Sequence, residues 1–134
     1  MGDKPLLLKA EAFVYAEERV NAMVMRIESI PNGLHIWLSG ELDHHAARDL
    51  REQIDAAVER CKARMLRLDF SDVGFMDSSG IGLVMGRYRL MQTLGGTLSV
   101  VGMSDRIEKV MRLAGLDKLG ILPEPVKKPQ KTRR

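Results

Sequence analysis

Residues 65–101 read MLRLDFSDVGFMDSSGIGLVMGRYRLMQTLGGTLSVV, and the order of patterns in this stretch decides the fold. Met65 to Phe70 is a short run dominated by apolar residues, which reads as a strand. Ser79 to Leu94 carries Ile81, Val84, Met85, Tyr88 and Met91 at helical spacing, and Gly95-Gly96 ends the helix. Thr97 to Val101 is almost continuously apolar, which predicts a strand buried on both faces. A strand, a helix and a second strand in so short a stretch make one crossover unit.

Upstream, Met23 to Glu28 and Leu34 to Ser39 read as two further strands. In the second, Leu34, Ile36 and Leu38 alternate with His35, Trp37 and Ser39, a period of two. Pro31-Asn32-Gly33 between them is turn chemistry, with Pro presetting φ and Gly accepting a positive φ. Ala46 to Ala63 reads as a helix with Leu50, Ile54, Val58 and Cys61 on one face and Arg and Glu on the other. Asp43 is its expected N-cap. Downstream, Ser104 or Asp105 caps a third helix carrying Ile107, Val110, Met111 and Ala114, which Gly115 stops, and Leu119 to Leu122 is expected as a short last strand. The sum is an α/β fold: a mixed sheet of about five strands with helices packed mainly on one face.

The 134 residues suit one domain, assigned to residues 23–122. Hydrophobic residues are 45% and charged residues 29%, an ordinary globular balance. The lone Cys61 excludes an internal disulfide. No apolar run approaches the ~18–20 residues that cross a bilayer, and Met1 to Pro5 lacks a signal-peptide pattern, so a cytoplasmic protein off the membrane is expected. The net charge of +3 is unevenly placed. Lys127, Lys128, Lys131, Arg133 and Arg134 lie beyond Pro123 with one acid, Glu124, which leaves 16 basic against 17 acidic residues elsewhere. The pI of 9.2 therefore belongs to the tail and is no nucleic-acid footprint. Residues 123–134 have a disordered composition. Residues 1–22 are an extension of uncertain status. They form either a genuine N-terminal helix or tail, or a segment ahead of a start at Met23, since Glu17-Glu18 is encodable by a ribosome-binding purine run.

Two segments follow strand ends, where function collects: Gly40 to His45 and Ser71 to Ser78. In the second, Ser78 stands at the mouth of a helix, where it either merely caps the helix or presents its hydroxyl to a modifying enzyme. Gly80, Gly82 and Gly86 do not make a dinucleotide fingerprint, because three residues rather than two separate the last pair. Glycines inside a helix cost about 1 kcal/mol each relative to Ala, and suit a close approach by a neighbouring element or a partner. Asp43-His44-His45 lacks the i, i+4 histidine pair or acidic cluster of a metal site, and the adjacent rings are expected to point to different sides. A hydrolase is disfavoured, because Met76 stands where a nucleophile elbow needs Gly. No catalytic residue, metal or cofactor is assigned.

The segments Gly40-Glu41-Leu42-Asp43-His44-His45 and Phe75-Met76-Asp77-Ser78-Ser79-Gly80-Ile81-Gly82, continued by Gly86-Arg87-Tyr88 and Gly95-Gly96, resemble the STAS family of anti-sigma factor antagonists. The likeness spans roughly Met23 to Leu122. The Asp-His-His and Arg-Tyr elements favour the sporulation branch over the general-stress branch, although Ala46 stands where a hydroxyl residue is often found. The resemblance implies that the unphosphorylated protein binds an anti-sigma factor, a serine kinase of the GHKL type, and frees a sigma factor, here sigma-F. It implies phosphorylation of Ser78 by that kinase and reversal by a PP2C-type phosphatase. Asp43, His44, Asp77, Ser79, Gly80 and Gly82 are the expected partner-binding residues, and the free protein is expected to be a monomer without catalysis of its own. The alternative is a non-switching structural STAS module in a larger signalling complex.

Overall fold

The computed structural model describes residues 15–20 and 23–124. A five-stranded sheet has its strands in chain order. Strand β1 (Tyr15–Val20) pairs antiparallel with β2 (Met23–Ile30), and β2 pairs antiparallel with β3 (Gly33–Leu42). Helix α1 (His44–Cys61) then returns the chain, so that β4 (Met65–Met76) lies parallel to β3. Helix α2 (Ser78–Thr93) does the same for β5 (Thr97–Val101). Helix α3 (Asp105–Leu113) and a short 3-10 turn, Leu116–Leu119, complete the domain.

The expected α/β mixed sheet is found, with its fifth strand in another place. Leu119 to Leu122 is not a strand: it holds the end of the 3-10 turn and gives the sheet one backbone bond, from Val100 N–H to Ile121 O at 2.8 Å. The fifth strand is β1, inside the segment set apart as an extension. Residues 15–20 are thus strand where a helix or tail was expected; residues 1–14 and 21–22, and the disorder expected of the basic tail from residue 125 on, lie outside the described residues.

Alternation builds the core. Leu34, Ile36 and Leu38 of β3 and Leu66, Leu68 and Phe70 of β4 are buried, and they share one cluster with Leu50, Ile54 and Val58 of α1 and Leu83, Val84 and Met91 of α2. Ile107 and Met111 of α3 join the same cluster. Strand β5 departs from the expected two-sided burial: Leu98 and Val100 are buried while Ser99 and Val101 are half-buried, because the buried residues of the three helices form one cluster with Leu98 and Val100 on a single face of the sheet. In α2 the buried stripe is Gly80, Leu83, Val84, Arg87 and Met91, with Ile81, Met85 and Tyr88 half-buried beside it. The stripe keeps the helical period, but it includes an arginine that hydrophobicity alone would place in water. At the β2–β3 turn Asn32, with φ 66°, takes the left-handed position expected of Gly33. Gly33 instead opens β3, where a Cβ would overlap the Met65 carbonyl.

Candidate functional site

Both segments expected as loops are largely strand. The β3–β4 ladder continues through Gly40↔Val73, Glu41↔Phe75 and Leu42↔Met76, with irregularities between Trp37 and Ser39 and between Gly40 and Glu41. Gly40 takes φ 119° at the second of these, a value that a residue with a Cβ rarely adopts. This kink leaves Leu42 buried and delivers the chain directly into α1. One residue then separates each strand from its helix: Asp43 before α1 and Asp77 before α2.

The two junctions are built alike. Asp43 (φ −101°, ψ −176°) and Asp77 (φ −97°, ψ −171°) are extended N-caps. Asp43 Oδ1 accepts the Ala46 N–H at 2.9 Å, and Asp77 Oδ1 accepts the Ser79 N–H at 2.9 Å together with the Ser79 hydroxyl. Asp77 N–H donates to Leu42 O at 3.2 Å and ties the junctions together. The Ala46 N–H holds the Asp43 carboxyl below the ordinary carboxylate value. The Ser79 hydroxyl and N–H do the same for Asp77, with a further contribution from His44 on the neighbouring helix. Asp43 thus caps α1 as expected. In α2 the cap is Asp77 and not Ser78, because a carboxylate accepts a backbone N–H more strongly than a neutral hydroxyl does.

The consequence for the serine pair is direct. Ser78 is the first helical residue and is exposed, and its hydroxyl has no cap to make. Ser79 is half-buried and its hydroxyl is committed to Asp77. His44 and His45 are exposed, and their ring centroids lie 4.0 Å apart, tilted by 36°. The rings therefore meet instead of diverging as expected. His45 Nδ1 lies 3.9 Å from Asp43 Oδ2. Among the described residues no three His, Cys, Asp or Glu side chains gather as a metal site requires.

The predicted residues divide by position. His44, Ser79 and Gly82 line one groove of about 500 Å³ between α1 and α2, together with Ala47, Arg48, Arg51, Leu83, Gly86 and Arg87. Asp43 and Asp77 stand at the helix mouths. Gly80 is different: it is buried, and a Cβ there would overlap Met76 and stand 2.7 Å from Leu42 Cδ2. It packs beneath the helix mouth, where the other predicted residues lie at the surface. Gly82 and Gly86 have nothing within 4 Å of a Cβ, so their faces are open.

Four features escape a reading of the sequence. Arg87 of α2 is 5% exposed; its Nε lies 2.8 Å from Asp55 Oδ1 and its Nη2 donates to Asp55 Oδ2 at 3.3 Å. The Nε contact is an ion pair without hydrogen-bond geometry. Burial raises the Asp55 pKa against the pull of Arg87, and burial lowers that of Arg87 against the pull of Asp55. Second, Phe75 and Val110 are 49% and 42% exposed and share a small cleft with Arg106, although Val110 has the spacing of a core residue. Third, the sheet face carrying His35 holds a polar network. Arg67 Nη1 donates to His35 Nδ1 at 3.2 Å, His35 Nε2 meets Asp69 Oδ2 at 3.0 Å, and Trp37 stacks on His35 at 4.0 Å. Ser71 N–H and hydroxyl both donate to Asp69 Oδ1. Burial pushes Asp69 up, but the Ser71 bonds and His35 outweigh it and leave the carboxyl below its ordinary value. The serine binds the aspartate, not the histidine, so the trio is not arranged to activate a hydroxyl. The fourth is the pair Arg48 and Arg51, ordinary exposed cations until α1 is placed beside α2. The one sequence signal was Gly82 and Gly86, two helix-weakening residues one turn apart.

Comparison with known proteins fits this geometry. The family profile described as "Mlab, STAS domain" matches residues 25–123. The chain is 37% identical over 86 residues to the anti-sigma F factor antagonist of Paenibacillus polymyxa, covering 64% of this chain and 74% of that protein. It is 31% identical over 85 residues to the anti-sigma-B factor antagonist of Bacillus subtilis (strain 168), covering 63% and 76%. Among solved structures it is similar to the anti-sigma factor antagonist SpoIIAA in its unphosphorylated form, with TM-score 0.66, 31% identity and coverage of 77% and 89%. It is also similar to the Bacillus cell fate determinant SpoIIAA in the phosphorylated form, with TM-score 0.58, 29% identity and coverage of 84% and 92%.

Proposed function

Because this chain belongs to the STAS domain family, we propose that it is an anti-sigma factor antagonist switched by phosphorylation of Ser78. In its unphosphorylated form it binds an anti-sigma factor, a serine kinase of the GHKL type, and so frees a sigma factor. The kinase modifies Ser78, the complex parts, and a PP2C-type phosphatase restores the active form. The Paenibacillus relative and the Asp43-His44-His45 and Arg87-Tyr88 elements support sigma-F, and hence sporulation, as the pathway. The site of action is the cytoplasm, off the membrane. Among the described residues no helix is long and apolar enough to cross one.

One observation carries the reading: of the two adjacent serines, Ser78 is exposed at the helix mouth while the Ser79 hydroxyl is held by Asp77. A kinase needs a hydroxyl it can reach. The product suits its position, since a phosphate adds about −1.5 to −2 charges at neutral pH and a helix N-terminus favours negative charge. The fold therefore tolerates the modification. A partner packed on Asp43, His44, Asp77, Ser79 and Gly82 does not, because burying that charge without new cations costs several kcal/mol. A loss of roughly 3–4 kcal/mol lowers affinity several hundredfold.

The test uses the anti-sigma kinase encoded in the same genome. With ATP, phosphopeptide mapping should find phosphate on Ser78 alone. Ser78→Ala should bind constitutively and escape modification, while Ser78→Asp should bind poorly and melt near the wild type. Phosphate on Ser79 with Ser78 unmodified overturns the assignment, and a chain that binds the kinase without being modified is the non-switching module.

A further inference from the structure

We infer that the α1–α2 groove is a cationic seat for an acidic segment of the protein that binds at Ser78. This rests on the reading above and adds to it the second helix and the chemistry of what docks there. The groove of about 500 Å³ is lined by His44, Ala47, Arg48 and Arg51 from α1 and by Ser79, Gly82, Leu83, Gly86 and Arg87 from α2. No carboxylate lines it. Arg87 pairs with Asp55, whose carboxylate Arg51 also pulls on from farther away, and Asp49 stands beside Arg48 in the adjoining cleft; Arg48 and Arg51 themselves are exposed. A protein body with nearly equal numbers of acids and bases has three arginines in this lining, with Asp55 and Asp49 standing beside it but outside it.

Shape agrees with charge. Arg48 and Arg51 lie three positions apart on α1, hence on one side of that helix. Gly82 and Gly86 lie four apart on α2, and a Cβ on either would meet nothing within 4 Å. The floor opposite the arginines is therefore bare helix backbone, which lets another main chain approach as closely as small residues allow. From Ser79 to Gly86 the groove runs two turns, roughly 10 Å. That length takes two turns of a helix or a short extended segment, with carboxylates reaching Arg48 and Arg51. One end of the groove is Ser79 and His44, so a partner over Ser78 already lies at its mouth. Complementary charge of this kind raises association rate and fixes register, and added salt screens it.

The experiment titrates the kinase of the same genome, with ADP, onto wild type, Arg48→Gln/Arg51→Gln, Arg48→Glu/Arg51→Glu and Gly86→Leu. Far-UV CD and thermal melts on each variant check the fold, which exposed positions should leave intact. The neutral pair should weaken binding several-fold and the reversed pair at least tenfold, with a flatter dependence on ionic strength than wild type. Gly86→Leu, which fills the groove without changing charge, should weaken binding with the salt dependence unchanged. If wild type binds and the reversed pair binds within twofold at every salt concentration, the seat is wrong and the antagonist reading stands. If wild type does not bind the kinase at all, the antagonist reading fails and the seat fails with it. Stabilisation of the wild type by ADP alone, lost in the neutral pair, would make the occupant a nucleotide and overturn the proposal.

Discussion

Ser78 and Ser79 differ by one position and by everything that decides reactivity. The difference originates in Asp77, whose carboxylate takes the capping role and binds the second hydroxyl. Removing it should blur the distinction: in Asp77→Ala the Ser79 hydroxyl is released and α2 loses its cap. We expect a lower melting temperature, and phosphate appearing on Ser79 after prolonged kinase treatment, read by peptide mapping. Asp77→Asn keeps an acceptor and should keep the selectivity. The two caps also set an acid limb. Asp43 and Asp77 are held below the ordinary value of 3.8, so their contribution is fully present above that pH and is lost as pH falls through the lower folded values. Asp55 runs the other way: its raised carboxyl favours folding fully below 3.8 and gives that up as pH rises through its higher folded value. Urea unfolding below pH 4 should therefore show a shallower loss of stability in Asp43→Asn/Asp77→Asn than in wild type.

At the scale of elements, α2 holds three glycines with two different reasons. Gly80 is pressed on Met76 and Leu42, where the helix start meets the strand ends, so Gly80→Ala should destabilise by about 1–3 kcal/mol through overpacking. Gly82 and Gly86 face open space, so each change to Ala should stabilise by up to about 1 kcal/mol from helix propensity alone. Urea titration of the three variants separates the cases by sign. The same Gly82→Ala protein should bind its partner less well, which would explain why a helix carries a residue that weakens it. The α1–α2 contact has its own fastening in Arg87 and Asp55. Arg87→Leu removes the cation paired with Asp55 and leaves it only the more distant Arg51, and the expected loss is about 3 kcal/mol, the low end for breaking a buried pair, because the Asp55 side chain remains 32% exposed. Asp55→Asn/Arg87→Leu should recover part of that loss in the same urea assay.

Across the whole molecule the sheet carries the site from one end. Parallel strands β3 and β4 finish together, so both helix N-termini open at one end of the sheet, while the antiparallel half with β1 and β2 lies on the far side of β3. A chain beginning at Met23 should therefore keep the site and lose the sheet's first edge. In hydrogen exchange the β2 amides bonded to β1 should exchange faster in that truncation, with β4, β5 and the helix mouths unchanged. Slowed or unchanged exchange in β2 would mean that β1 adds nothing to the sheet. Kinase binding should be retained.

The sequence by itself determined the order of elements from β2 to α3, though not the first strand or the end of the chain, because apolar periodicity is a local property that any packing must respect. Alternation at Leu34, Ile36 and Leu38, the stripe Leu50, Ile54 and Val58, and the glycines at 95 and 96 all reappear as core and boundary. Asp43 was legible as a cap for the same reason, since a cap acts within one turn of its own helix. Tertiary structure alone decided what depends on meetings between distant segments. Gly40 to Leu42 and Ser71 to Met76 look like loops until each supplies the other's ladder, and β1 is a strand only because β2 offers it an edge. Arg87 is a surface cation by type and a buried one by virtue of Asp55, 32 positions away. Arg48 and Arg51 become the wall of a groove only when α1 lies beside the open glycines of α2. Pairing, burial and charge juxtaposition are fixed by distances in space, and no pattern along one segment encodes them.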